Sequence, residues 1–135
     1  LCIGKKPDGS PFHIGIQKTF ADRSETIAAL EINDKSVVSS GIYERYFEKD
    51  GNFYHHILNP KTGYPYDNSL ISVTIISDKS VDGDGLSTTC FALGLEKGME
   101  LINSLPDVQA VFITDDYQLH YSDHFNDELT VIDVN

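Results

Sequence analysis

The part of the chain best equipped for chemistry is residues 82–89, whose sequence DGDGLSTT combines carboxylates with hydroxyls. It follows an apolar run at residues 70–76, which predicts a strand, and leads into a segment with helical spacing. Such a strand-to-helix turn could hold a phosphate or Mg²⁺, because unpaired N–H groups favour anions and carboxylate and hydroxyl oxygens suit the metal. The competing interpretation is that these residues only cap the helix. From this stretch alone, capping is favoured.

Paired histidines, His55 and His56, end another predicted strand beside the loop NPKTGYP at residues 59–65. An imidazole in a cleft could transfer protons, because its charge changes near neutral pH. Side chains alternate along a strand, so the two rings should face opposite sides and at most one should point at a given site. Histidines at strand ends more often have structural roles, so the pair alone does not predict catalysis.

The elements that must position these residues predict an α+β (mixed α/β) fold. Strands are predicted at residues 12–17, 26–32, 36–47, 53–58, 70–76, 108–114, 117–121 and 129–134. For residues 26–32 the Ala and Leu content also allows a helix, and the strand is favoured. Two consecutive helices are predicted at residues 86–93 and 96–105, packed on one face of a mostly antiparallel sheet. Turn residues predict an opening hairpin around residues 7–11, a second hairpin at Asp50-Gly51 and a loop at residues 19–25.

Gly41 interrupts the longest of these strands. A glycine inside a strand marks either a bulge or a close approach of a ligand to the backbone. The sequence leaves both interpretations open.

Length and charge bound the class of protein. A chain of 135 residues with 40% hydrophobic content is long enough for one domain with a core. The 21 acidic residues against 10 basic ones give a net charge of −11, which argues against nucleic-acid binding and against adhesion to anionic membranes. No apolar run reaches the length of a membrane span. Cys2 and Cys90 have no metal-ligand spacing and are interpreted as buried apolar residues rather than a disulfide.

Three motifs, in order, resemble the C-terminal signature of the ApbE family of flavin transferases. They are SSGIYERYF at residues 39–47, HHILNPKTGYP at 55–65 and DGLSTTCFALG at 84–94. The opening GKKPDGSP at residues 4–11, with IGIQ at 14–17, is also similar to a family segment. The resemblance covers nearly all of the chain, whereas the chain would cover less than half of a typical member.

The resemblance implies that residues 1–135 are the C-terminal portion of an ApbE-like (T-fold-like) domain whose N-terminal FAD-binding half is absent from this chain. It implies a bacterial, Mg²⁺-dependent transferase that cleaves FAD, passes FMN to a Thr or Ser hydroxyl of an acceptor flavoprotein and releases AMP. The acceptor would be a redox-pump or electron-transfer subunit. The full-length protein is expected to be extracytoplasmic and lipid-anchored, with its signal upstream of Leu1, and the isolated fragment is expected to be inactive.

Carried over residue by residue, the resemblance assigns metal binding to Asp84 and Thr88, which match a D-x-x-x-T pattern. Ser87 stands where some relatives carry a second acidic ligand, so it is a secondary metal contact at most. The i, i+4 spacing at a helix start would put Asp84 and Thr88 on one side, consistent with one shared ion.

The resemblance also assigns activation of the acceptor hydroxyl to His56, the histidine directly before Ile57. The backbone of Ile57 and Leu58 is similar to a flavin-contacting segment, and Gly41 is a further candidate for a flavin contact. Asn59 departs from the Asp that is common in relatives, which matters little if the position caps a turn.

Other functions compete with this interpretation. One is a non-catalytic flavin- or nucleotide-binding module, and another is an acidic domain in which a divalent ion serves only stability. Hydrolysis of FAD to FMN and AMP is an alternative reaction of the same site. The presence of His56 together with Asp84 and Thr88 favours the transferase, because a pure binding module has no use for a base beside the metal.

Overall fold

The computed structural model of the protein describes residues 1–18, 25–43, 45–123, 125 and 130–132. Its strands are β1 (Phe12–Gln17), β2 (Thr26–Ile32), β3 (Ser36–Gly41), β4 (Tyr46–Lys49), β5 (Asn52–His55), β6 (Leu70–Ser77), β7 (Val108–Thr114), β8 (Leu119–Tyr121) and β9 (Thr130–Ile132). Its helices, α1 (Ser80–Leu93) and α2 (Leu95–Asn103), follow each other between β6 and β7. The predicted α+β class with antiparallel strands and two consecutive helices is confirmed.

The central layer is an antiparallel sheet in the order β3-β6-β7-β8. All of β6, with the sequence LISVTIIS, is buried, because other elements cover both faces of the sheet. On the helix face, Val73 and Ile75 pack with Phe91 of α1 and Ile102 of α2. On the other face, apolar residues of the central sheet pack against a second sheet, ordered β1-β2-β9, through Ile16, Ala28, Leu30, Ile32, Ile71, Ile76, Val111 and Ile113. This double cover explains why β6 is a nearly continuous apolar run.

The strand predicted over residues 36–47 is wrong as one element. β3 ends at Gly41 and pairs with β6, whereas β4 begins at Tyr46 and pairs only with β5 in a separate hairpin. The chain turns at residues 42–43, and the Tyr43 ring lies over Gly41, where an added Cβ would come within 2.3 Å of ring atom Cε1. The β3 register is continuous over residues 36–41, so this glycine marks a close side-chain approach within the protein and no bulge.

The β4–β5 hairpin confirms the turn predicted at Asp50-Gly51. Both residues have positive φ, 53° and 74°, and Lys49 pairs with Asn52, which is the geometry of a two-residue type I′ turn. The predicted return strand at residues 53–58 is shorter than expected, because β5 ends at His55. Stacked aromatic pairs line both faces of the hairpin: Tyr46 on Phe53 and Phe47 on Tyr54.

The opening hairpin is also wrong in its pairing. The turn forms, with Gly9 N–H donating to the carbonyl oxygen of Lys6 at 2.8 Å. The segment before that turn, however, makes its antiparallel bridge through Cys2 to Lys35, and β1 pairs with β2. A strand pairs with the neighbour that completes its buried face, and the turn alone does not choose that neighbour.

Two other expectations fall partly on undescribed positions. Of the loop predicted at 19–25, residues 19–24 lie outside the described residues, and so do 129, 133 and 134 of the last predicted strand. The described part of that strand, β9, pairs with β2. Among the described residues, no helix is long and apolar enough to span a membrane.

Cys90 and Cys2 are both buried and free, as predicted. Cys90 is fully enclosed between the helices and the sheet, and this burial raises the pKa of its thiol from 9.0 to about 11. The unfolded chain would therefore release this proton at lower pH than the folded one. The thiol's contribution to stability is complete below pH 9.0 and is lost as the pH rises towards about 11.

The variant Cys90→Ala should accordingly show a pH-dependent loss of stability. Below pH 9 we expect the variant to be about 1–2 kcal/mol less stable than the wild type, because it loses buried contacts. Between pH 9.0 and about 11 the difference should shrink, since only the wild type carries the thiol. Urea denaturation of both proteins at pH 7.5, 9 and 10.5 measures it, and a difference that stays constant across this range would contradict the raised pKa.

Candidate active site

Asp84 and Thr88 lie in the middle of α1, where both side chains are exposed. The helix begins at Ser80 with Lys79 as its N-cap, six residues before the predicted start. Asp84 therefore lies inside the helix, and the expectation that this stretch forms a turn that caps the helix is wrong. Four residues separate Asp84 from Thr88, so one helical face carries the carboxylate and the hydroxyl one turn apart.

Gly83 lets α1 approach β3 closely enough for hydroxyls of the helix to contact a hydroxyl of the strand. Gly83 faces β3, and a Cβ added there would meet Val38 Cγ2 at 2.9 Å and Ser77 Oγ at 3.3 Å. With no side chain in the way, the next turn of α1 reaches Ser40. The Ser40 Oγ lies 2.8 Å from Ser87 Oγ and 3.1 Å from Thr88 Oγ1.

Ser40 is a residue that sequence reasoning missed. It lies 47 residues before Ser87 in the chain, and no local spacing relates the two. The only available signal was its place beside Gly41 in the SSGIYERYF motif. Ser87 itself is buried, and its hydroxyl donates to the carbonyl oxygen of Asp84 at 3.3 Å.

The donor set at this position fits Mg²⁺ in kind but is incomplete in number. Carboxylate and hydroxyl oxygens are hard ligands of the type that Mg²⁺ binds. Within the described ranges, no group of three or more His, Cys, Asp or Glu side chains could hold a metal. Asp84 and Thr88 could therefore hold one side of an ion, whose other ligands would come from water, a substrate phosphate or further protein groups.

The two histidines differ sharply in their surroundings, as the alternation predicted. His55 is buried, its ring Nε2 lies 2.9 Å from the carbonyl oxygen of Tyr66, and its Nδ1 accepts the Ile57 N–H at 3.3 Å. A carbonyl can only accept and Nδ1 accepts the Ile57 N–H, so the ring proton lies on Nε2. The ring also packs edge-on against Phe91 of α1. His55 therefore holds the β5 end against the helix.

His56 is exposed just after the end of β5. Its Nδ1 lies 3.3 Å from the carbonyl oxygen of Arg45, to which it must donate in the neutral ring. The Nε2 atom then carries a lone pair and is available as a base. A largely apolar groove of about 420 Å³ lies beside this ring, lined by Arg45, Tyr46, Phe47, Tyr54, His55, His56 and Leu58.

The remaining predicted contacts lie around the same loop. Ile57 is buried, and both of its backbone groups have internal partners: its N–H donates to His55 and its carbonyl accepts from Tyr66 at 3.1 Å. Leu58 is half exposed and forms an antiparallel bridge with Pro65. Of the three predicted flavin contacts, Leu58 is exposed, whereas Ile57 is buried and Gly41 has the Tyr43 ring above it.

The structure thus builds two separate groups of candidate residues. One contains Asp84 and Thr88 with the hydroxyls of Ser40 and Ser87, and the other contains His56 with its groove. No hydrogen bond joins His56 to Asp84 or Thr88, all three of which are described. α1 connects the groups, because His55 packs on Phe91, which lies about 10 Å along the helix axis from Asp84.

Comparison with known proteins identifies the family. The model of the ApbE family matches residues 1–112. The chain belongs to the ApbE family. A relative named FAD:protein FMN transferase from Klebsiella pneumoniae (strain 342) is 54% identical over 101 residues, which is 75% of this chain and 32% of the relative. Another of the same name, from Treponema pallidum (strain Nichols), is 39% identical over 123 residues, which is 91% of this chain and 34% of the relative.

Solved structures of ApbE proteins share the fold. An ApbE protein from Thermotoga maritima superposes with a TM-score of 0.79 at 32% identity, over 91% of this chain and 40% of that one. The flavin transferase ApbE of Vibrio cholerae gives a TM-score of 0.75 at 31% identity, over 92% of this chain and 40% of that one. The chain therefore spans about a third of the curated ApbE relatives and about two fifths of these structures.

Proposed function

We propose that this chain is the C-terminal portion of a flavin transferase that moves FMN from FAD to a Thr or Ser hydroxyl of an acceptor protein and releases AMP. The observation that carries the proposal is the α1 site of an ApbE-family chain, where a carboxylate and a hydroxyl share one exposed helical face. The names of the curated relatives, FAD:protein FMN transferase, support the reaction.

The reaction exchanges the phosphoanhydride bond between the two halves of FAD for a phosphate ester bond to the acceptor. The acceptor oxygen attacks the phosphorus of the FMN half of FAD, and the P–O bond to the AMP phosphate breaks. The hydroxyl proton leaves as the new P–O bond forms, and AMP departs with the bridging oxygen. Such transfer depends mainly on positioning and on neutralising charge at the phosphates.

Within this chain, His56 would take the proton of the acceptor hydroxyl. Its Nε2 lone pair faces away from the Arg45 carbonyl and beside an open groove, where an acceptor side chain could arrive. Mg²⁺, when bound, would supply charge neutralisation for the diphosphate. Asp84 and Thr88 would hold one side of that ion, while the rest of the full-length protein would complete the site.

Hydrolysis of FAD is the second candidate, because an exposed base such as His56 could equally take a proton from water. The acceptor as an electron-transfer flavoprotein, and the extracytoplasmic location, remain predictions of the family resemblance. The two reactions share AMP as a product and differ in whether FMN becomes attached to protein.

The test uses the full-length gene product with FAD, Mg²⁺ and an acceptor flavoprotein. We expect AMP by chromatography and a covalently fluorescent acceptor band on a denaturing gel, both lost on chelation of the metal. AMP with free FMN and no labelled acceptor would favour the hydrolase. If neither AMP nor covalent FMN forms, the binding-module interpretation would replace both reactions.

A further inference from the structure

We propose that Ser40 is a positioning residue of the Mg²⁺ site, which turns the Thr88 hydroxyl so that its oxygen lone pairs face the ion. This inference rests on the proposed function and deepens it. Its basis is a chain of three hydroxyls, Thr88, Ser40 and Ser87, between α1 and β3.

The donor and acceptor in each of these hydrogen bonds can be worked out from the Ser87 end of the three hydroxyls. Ser87 Oγ lies 3.3 Å from the carbonyl oxygen of Asp84, and a carbonyl only accepts. Only one arrangement of protons makes all three contacts hydrogen bonds, and in it Ser87 donates its single proton to Asp84. At 2.8 Å from Ser40, the Ser87 oxygen then accepts, so that Ser40 is the donor. Burial of Ser87 leaves it without solvent as an alternative partner.

The direction of the hydrogen bond between Ser40 and Thr88 follows in the same way. Ser40 has given its proton to Ser87, so at 3.1 Å from Thr88 it can only accept. Thr88 therefore donates its proton inwards, towards β3. Its lone pairs are left on the exposed side of α1, the side that also carries Asp84. A neutral hydroxyl binds a cation through its oxygen, so this orientation prepares Thr88 as a ligand before any ion arrives.

Ser40 thereby acts like the residues of other metal sites that do not touch the ion but hydrogen-bond to its ligands and orient them. Loss of such a residue commonly weakens metal affinity by about 10–100-fold. Without Ser40, the Thr88 hydroxyl loses the acceptor that fixes its rotation. It could then turn its proton towards the ion or towards the helix backbone.

The test measures Mn²⁺ affinity by EPR in the full-length protein saturated with FAD. We expect Ser40→Ala to raise the dissociation constant for Mn²⁺ by about 10-fold. Ser40→Thr keeps the hydroxyl and should stay within about twofold of the wild type. Ser39→Ala is the matched control, because Ser39 is the adjacent residue and bonds Thr74 at 2.8 Å, away from α1.

A double-mutant cycle separates positioning from general structure. In a Thr88→Val background, where no hydroxyl remains to orient, Ser40→Ala should cause no further loss of Mn²⁺ affinity. Ser87→Ala breaks the next link and supplies a second variant if Ser40→Ala does not fold, as judged by circular dichroism. It should weaken affinity less than Ser40→Ala, since Ser40 can still accept from Thr88.

The inference is overturned if Ser40→Ala binds Mn²⁺ as the wild type does, or if its loss is equally large in the Thr88→Val background. An equal loss in Ser39→Ala would overturn it too. Cleavage of FAD by the wild type, assayed on the same preparation, tests the proposed function separately. Cleavage with unchanged Mn²⁺ affinity in Ser40→Ala would refute the role of Ser40 alone, whereas a wild type that binds no Mn²⁺ would refute both.

Discussion

Replacement of His56 by alanine in the full-length protein should slow FMN transfer by about 10²–10⁴-fold, the usual contribution of a general base. Binding of FAD should change little, because the exposed ring hydrogen-bonds the Arg45 carbonyl and, among the described residues, belongs to neither hydrophobic core cluster. The contrast between transfer and binding is the signature of a group that acts in the transition state. Covalent labelling of the acceptor gives the rate, and FAD fluorescence gives the affinity.

The neighbouring histidine provides an informative comparison. His55→Ala should mainly destabilise the fold, because His55 is buried and joins β5 to the loop through Tyr66 and Ile57. His13→Ala, on an exposed histidine of β1, should leave both transfer and stability near wild type. Equal losses of FAD binding and transfer in His56→Ala would show that its role is structural.

Asp84→Asn should lower metal-dependent FAD cleavage by about 100-fold or more, equivalent to about 2.7 kcal/mol of transition-state stabilisation. The substitution keeps the size of the side chain and removes its charge. Because Asp84 is exposed, the free energy of unfolding should change by less than about 0.5 kcal/mol. Cleavage measured over a Mg²⁺ titration should show a weakened dependence on the metal.

The control for this variant is Asp82→Asn, an exposed carboxylate two residues earlier in α1 that points to a different side of the helix. Asp82 lies in the first turn of α1, where its carboxylate complements the helix dipole. Its loss should reduce stability by about 0.3–1 kcal/mol and leave cleavage unchanged. If Asp84→Asn only lowers the melting temperature and cleaves FAD normally, the ion-for-stability interpretation would be supported.

Local sequence information predicted much of the secondary structure. The strand at residues 12–17, the buried run that became β6 and the Asp50-Gly51 turn all follow from short-range patterns, whereas the pattern at residues 26–32, which form β2, also allowed a helix. The predictions failed where the structure of a segment depends on contacts with residues that are distant in the sequence. The 36–47 segment had strand composition throughout, yet β3 ends at Gly41, under the Tyr43 ring, and β4 belongs to a separate sheet.

The start of α1 shows the same limit. The sequence before Leu86 is rich in Asp and Gly, which favour turns in isolation. Packing against β3 and β6 extends the helix back to Ser80, with Gly83 needed where α1 meets Val38 and Ser77. Tertiary contact therefore outweighs a low helix propensity at this end.

The sequence by itself determined the family, the antiparallel α+β class and the four-residue spacing that puts Asp84 and Thr88 on one helical face. The resemblance of its motifs indicated the family. Periodicity and turn chemistry suffice for the class and the spacing, because they depend on neighbours within a few residues. Only the tertiary structure decided that His55 is buried while His56 is open, and that Ser40 lies beside Ser87 and Thr88. Those facts depend on the order of strands in the sheet and on how closely α1 packs against it. Contacts between residues that are distant in the sequence determine both.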